Sequence, residues 1–119
     1  MNIFEYLDYK LFLRDTIASF PRKGHGQTLR IAEHLGVHPT LVSQVLNGSR
    51  DFSPEQIYKL CSYLGLQQLE TDFLLLLLQY ERAGTSEFKK YYKAKIEEIK
   101  KSSLNISKRL EKERQLTEL

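Results

Sequence analysis

Residues 27–48 read QTLRIAEHLGVHPTLVSQVLNG. Two short helical patterns meet here across a single glycine. In the first, Leu29, Ile31, Ala32 and Leu35 are apolar at helical spacing, and Gly36 stops the helix, since glycine reaches the left-handed conformation that closes one. Val37 is an apolar turn residue. Pro39 suits the first position of a second helix, where a missing N–H costs nothing. That helix is expected to run to Leu46 or Asn47, with Gly48 ending it. A helix-turn-helix needs a small residue in its first helix so that the second can cross closely, and Ala32 meets that need. It needs a turn residue free in its dihedrals (Gly36), an apolar anchor after the turn (Val37), and core-facing positions in the second helix, here Val42 and Val45 or Leu46.

The flanks extend the helical pattern. Phe4, Leu7, Leu11, Ile17 and Phe20 recur at three- and four-residue steps or their multiples, which predicts one amphipathic helix over residues 3–20. Pro21 ends it, because proline disfavours helical geometry in the residue before it. Arg22-Lys23-Gly24-His25-Gly26 then reads as a basic loop. Ser53-Pro54-Glu55-Gln56 is a strong helix start, with Ser53 as cap and Gln56 completing a capping box. The helix it opens is expected to reach Tyr63 or Leu64 before Gly65. A fifth helix spans Gln68 to Ala83, and its run Phe73 to Leu78 is apolar on every side, which requires burial on several faces or a covering partner. After Gly84, with Thr85 or Ser86 as cap, a long helix starts near Glu87. Within it Tyr92, Ile96, Ile99, Ser103, Ile106 and Leu110 alternate by four and three, a coiled-coil-like seam. The expected fold is all-α: five helices in residues 1–84, with the helix-turn-helix core at 27–66, then a long C-terminal helix in residues 85–119 suited to oligomerisation.

The composition agrees. The 119 residues are enough for one domain, 41% of them are hydrophobic, and Gly and Pro are scarce. The net charge is +3 and the pI about 9.0. That basic excess is uneven: residues 1–84 balance to −1 and residues 85–119 to +4. The single cysteine excludes a disulfide framework, and Cys61 sits at core spacing with Ile57, Leu60 and Leu64. Three scattered histidines with one cysteine make no zinc site, and His34 reads as a surface or capping residue. Gly24-His25-Gly26 lacks the third glycine and preceding strand of a phosphate-binding loop. No catalytic constellation stands out, and no enzyme, cofactor or metal is expected. The N-terminus lacks the pattern of a signal peptide, and the longest apolar run, Phe73 to Leu78, is far short of a membrane span. The expected compartment is the cytoplasm.

With Ala32, Gly36, Val37, the Asn47-Gly48 end, the Ser53-Pro54 start and Leu64-Gly65-Leu66 in place, residues 27–66 resemble the lambda-repressor-like, Cro/repressor-type helix-turn-helix family. Separately, Phe4-Glu5-Tyr6-Leu7-Asp8-Tyr9-Lys10-Leu11-Phe12-Leu13 looks like the opening of the Fibrobacter/Bdellovibrio family of regulators, which carry this kind of helix-turn-helix. The first resemblance implies that helix 39–47 enters the major groove, with its N-terminal part at base edges. The matching positions are His38, Pro39, Thr40, Ser43 and Gln44. Gln44 has the chemistry to pair with adenine, and Thr40 offers a methyl to thymine or a hydroxyl to an acceptor. Phosphate contacts are expected from Gln27 and Thr28 at the start of one helix and from Asn47, Ser49 and Arg50 after the other, with Arg22, Lys23, His25 and Arg30 adding charge. The plain alternative for Thr40 and Gln44 is a solvated helix surface, and for Arg22 and Lys23 a solvated loop.

The expectation is a DNA-binding transcriptional regulator of bacterial or phage type, bound to double-stranded DNA as a homodimer through helix 68–83, the Tyr92–Leu110 seam, or both. The last helix could instead fold back on its own domain, dock a different partner, or touch DNA flanks. The rival function is a protein-interaction module that keeps the helix-turn-helix shape without reading DNA, favoured by the −1 balance of residues 1–84 and the leucine-rich fifth helix.

Overall fold

The computed structural model describes residues 2–117, and among these every regular element is helical. A short 3-10 turn, Ile3–Glu5, precedes α1 (Tyr9–Ala18). Then come α2 (Gln27–Leu35), α3 (Pro39–Leu46), α4 (Pro54–Leu64), α5 (Gln68–Arg82) and the long α6 (Ser86–Thr117). Among the described residues no helix is long and apolar enough to cross a membrane.

The single helix predicted over residues 3–20 is corrected. The chain breaks at Tyr6–Asp8, because Asp8 is an N-cap whose carboxylate accepts from the backbone N–H groups of Lys10 and Leu11. The break also changes the buried face. Leu7 and Leu11 are exposed, and the core receives Ile3, Tyr9, Phe12 and Leu13. The basic loop before α2 contains a tight left-handed turn, Pro21–Gly24. Arg22 and Lys23 adopt φ of 59° and 56°, and Gly24 follows at 80°. Glycine is required at position 24, since a Cβ there would lie 2.3 Å from the Ile17 carbonyl oxygen.

The remaining helix ends fall where the sequence put them. Gly36 takes the left-handed conformation (φ 71°), so that the Val37 N–H reaches back to the Ala32 carbonyl at 3.0 Å and closes α2. Ser53 and Gln56 form the capping box of α4. Thr85 caps α6 by accepting from the Phe88 N–H.

One core joins all the helices. Ile31, Ala32 and Leu35 of α2 pack with Val42 and Val45 of α3 and Ile57, Leu60 and Cys61 of α4. Beneath them lie Phe73, Leu74, Leu77 and Leu78 of α5. Burying each such Leu or Phe side chain contributes about 1.5–3 kcal/mol. The all-apolar run of α5 is covered from both sides within the chain. The domain packs on one face, and the first half of α6, through buried Ile96, packs on another. The 3-10 turn seals the same region, with Phe4 against Phe73 at 5.1 Å between ring centroids.

Candidate nucleic-acid interface

The core fixes which side of α3 is left outside. Val42 and Val45 are fully buried, and Leu41 and Leu46 are half-buried against the same cluster. With these positions turned inward, the helical period leaves Thr40 and Ser43 exposed and Gln44 half-exposed, with His38 exposed just before them and Pro39 half-buried. This is a short, polar, uncharged strip at the N-terminal end of a two-turn helix. His38 also caps α3: its Nδ1 accepts from the Thr40 N–H at 3.1 Å.

Just beyond α3 the chain folds back over the helix end. The N–H groups of Ser49 and Arg50 both donate to the Gln44 carbonyl, and the Ser49 hydroxyl donates to Asn47 Oδ1 at 2.8 Å while lying 3.1 Å from that carbonyl. The Arg50 guanidinium donates to Gln44 Oε1 at 3.4 Å. Gln44 therefore has its side-chain acceptor engaged and its amide donors available. Asn47, Ser49 and Arg50 are all exposed, forming one polar and cationic patch continuous with Gln44.

At the other helix of the pair, α2 opens on Gly26 with no side-chain cap and no acidic residue in its first turn, so its N-terminal N–H groups and the helix dipole are free to meet an anion. Thr28 is half-buried and Arg30 exposed at this end. Gln27 is buried, and its Oε1 accepts the hydroxyl of Tyr63 on α4, so this side chain ties α2 to α4. Arg22, Lys23 and His25 are exposed in the turn before α2. His34 lies on the outside of α2 with Nε2 within 3.0 Å of the Lys59 carbonyl. Among the described residues no cluster of His, Cys, Asp or Glu could hold a metal ion.

The sequence did not reveal how α3 is held. Arg14 of α1 donates to the carbonyl of Leu46 at 2.7 Å, and Lys10 of α1 donates to that of Gly48 at 3.3 Å. Two cations thus sit at the carbonyl end of α3, where the helix dipole is negative. Lys10 is buried, and it pairs with Asp51 at 3.2 Å. Asp51 Oδ1 also accepts the Tyr9 hydroxyl at 2.6 Å, while the Tyr9 oxygen accepts from the Phe52 N–H at 3.3 Å. Burial would raise the Asp51 carboxyl, but the Tyr9 hydroxyl and Lys10 ammonium outweigh it and hold its pKa below the usual value. Burial, followed by the Asp51 contact, raises the Tyr9 phenol well above its ordinary range. A lysine and a tyrosine in a helix normally read as amphipathic surface residues. Asp8 starts α1 just before them, and their contacts with Asp51, Phe52 and Gly48 hold them inward.

Searches of curated proteins and of solved structures gave no match. The match to known families begins at Gly24, after the N-terminal stretch 4–13, and ends at Gln67, before α5. Residues 24–67, which are α2, α3, α4 and the turns that join them, match the helix-turn-helix family of DNA-binding, repressor-like regulators.

Proposed function

We propose that this protein is a sequence-specific transcriptional regulator of bacterial or phage type. It acts in the cytoplasm as a homodimer, with α3 in the major groove of double-stranded DNA. In this reading residues 1–84 bind DNA and residues 85–119 join two copies. The observation that carries it is the exposed strip of Thr40, Ser43 and Gln44 on α3. The inward side of that helix is fully committed to the core, and its far end is pinned by Arg14 and Lys10. A rigid helix with a narrow polar face is what base-edge recognition requires. His38, Pro39, Thr40, Ser43 and Gln44 meet base edges. The open N-terminus of α2 with Thr28 and Arg30, and the patch Asn47, Ser49 and Arg50, take phosphates. Gln27 acts there by seating α2 against Tyr63, and Arg22 and Lys23 add charge at the edge.

Selection of bound fragments from genomic DNA by the purified chain, followed by titrations with the selected site, tests this. Thr40→Ala with Gln44→Ala should lower affinity for the selected site by about tenfold or more, at about 1–3 kcal/mol for a bidentate base contact, and leave random duplex binding unchanged. Equal binding of every sequence by parent and variant would sink the assignment. Absence of any salt-dependent binding to duplex would favour a protein-interaction module instead.

A further inference from the structure

Much of the positive charge of α6 lies on one side of the helix. By the helical period of about 3.6 residues, Lys90, Lys93, Lys101, Lys108 and Lys112 fall within one arc of about 100°. All five are exposed. Among the described residues only Glu97 and Glu111 enter that arc, whereas Glu87, Glu98 and Glu113 lie outside it. The arc is roughly opposite the seam that buries Ile96 against α5. The lysine face therefore points away from the domain. It stays open whether the rest of the seam is bare or covered.

These lysines have no counter-charge. Among the described residues the ion pair is Lys10 with Asp51, and no carboxylate pairs with any of the five. Their neighbours on α6 are already engaged: Lys89 donates to the Tyr80 carbonyl at 2.9 Å, and Lys95 lies 5.0 Å over the Tyr91 ring. Lys108 and Lys112, one turn apart, repel each other, and a bound anion would relieve that repulsion. At about 1.5 Å of rise per residue, Lys90 to Lys112 extends roughly 33 Å, on the scale of the ~34 Å of one duplex turn.

The rest of the chain lacks this kind of charge. Residues 1–84 balance to −1, and the strip of Thr40, Ser43 and Gln44 on α3 is uncharged. Lys10 is buried against Asp51, and Arg14 is tied to the Leu46 carbonyl. Duplex affinity comes largely from Lys and Arg that neutralise phosphates. The lysine face supplies what the reading helix lacks.

We propose that this face of α6 binds the phosphate backbone of duplex DNA without regard to sequence, in addition to the contacts of α2 and α3. The proposal rests on the DNA-binding reading above, and it gives α6 a role separate from joining two copies.

Salt titrations of random-sequence duplex with the full chain test it. The combined variant Lys90→Gln, Lys93→Gln, Lys101→Gln, Lys108→Gln and Lys112→Gln keeps good helix formers at exposed positions. It should lower affinity at about 0.1 M salt roughly tenfold or more, and reduce the slope of log affinity against log salt by at least about two. A second variant, Lys101→Gln, Lys108→Gln, Glu98→Gln and Glu113→Gln, leaves the net charge at +3. Its slope should still fall, by about one to two, because the face and not the total charge meets phosphate. The parental slope in either variant overturns the proposal. The α3 reading then stands if Thr40→Ala with Gln44→Ala still removes preference for the selected site. A parent chain without salt-dependent duplex binding overturns both. Binding to phosphatidylserine vesicles that is lost with the five lysines, while the duplex slope holds, would give the face to a membrane surface and overturn the proposal.

Discussion

Arg14 on the first helix donates a hydrogen bond to the carbonyl of Leu46, the last residue of α3, at 2.7 Å. The contact links residues 32 positions apart and sets the end of the helix proposed to read DNA. Arg14→Met keeps the aliphatic stem but removes the donor. It should cost about 1 kcal/mol of stability. Amide hydrogen exchange at Asn47 and Gly48 should accelerate more than exchange in α4. Uniform acceleration across the protein would show that the contact has no local role.

Tyr9→Phe tests the buried network around Asp51. The substitution leaves the Phe52 N–H without its acceptor and removes one donor from Asp51. The expected loss is about 1–2 kcal/mol in denaturant unfolding. Because Lys10 still pairs with Asp51, the loss should be smaller than that of Lys10→Met, which removes both the ion pair to the exposed Asp51 and the donor to the Gly48 carbonyl.

The same network predicts how stability depends on pH. Asp51 has a lowered pKa in the folded protein, so its contribution is full above the ordinary aspartate value and fades as pH falls below about 4. Tyr9 has a raised pKa, so its contribution is full below the ordinary tyrosine value and fades as pH rises above about 10. Asp51→Asn should flatten the acid limb of a stability–pH profile, and Tyr9→Phe the alkaline limb. Profiles unchanged in shape would contradict the assignment.

Gly24 and Gly26 share positive φ but differ in surroundings. At Gly24 a Cβ collides with the Ile17 backbone, whereas at Gly26 nothing lies within 4 Å. Gly26→Ala should cost about 1 kcal/mol from the left-handed backbone alone. Gly24→Ala should cost clearly more, because α1 must shift. Equal melting temperatures for the two variants would count against the close approach.

Arg50 is exposed and bonded to Gln44, so it bears on both affinity and readout. Arg50→Ala should weaken binding to all duplexes and reduce the slope of log affinity against log salt by about one. A variant with the parental slope would remove Arg50 from the phosphate contacts.

The sequence alone determined the helix-turn-helix. Ala32, Gly36, Val37, Val42 and Val45 encode it locally: small, turning and apolar residues at fixed spacing leave one way to cross two short helices. Caps such as Ser53 with Gln56 are equally local, because their partners lie within one turn. What the sequence could not reveal depends on contacts between distant residues. Whether Leu11 or Tyr9 faced inward was decided by packing against the rest of the chain, where Tyr9 meets Asp51, 42 positions away, and Lys10 meets Gly48. Gln27 looks like a polar residue at a helix start, yet Tyr63, 36 positions away, draws it into the interior. The seam of α6 reads as one continuous stripe, but only the folded domain covers Ile96 and leaves Leu110 bare. Spacing reports which residues share a face. Which partner that face meets is decided by packing the whole chain, because burial depends on what the other elements leave uncovered.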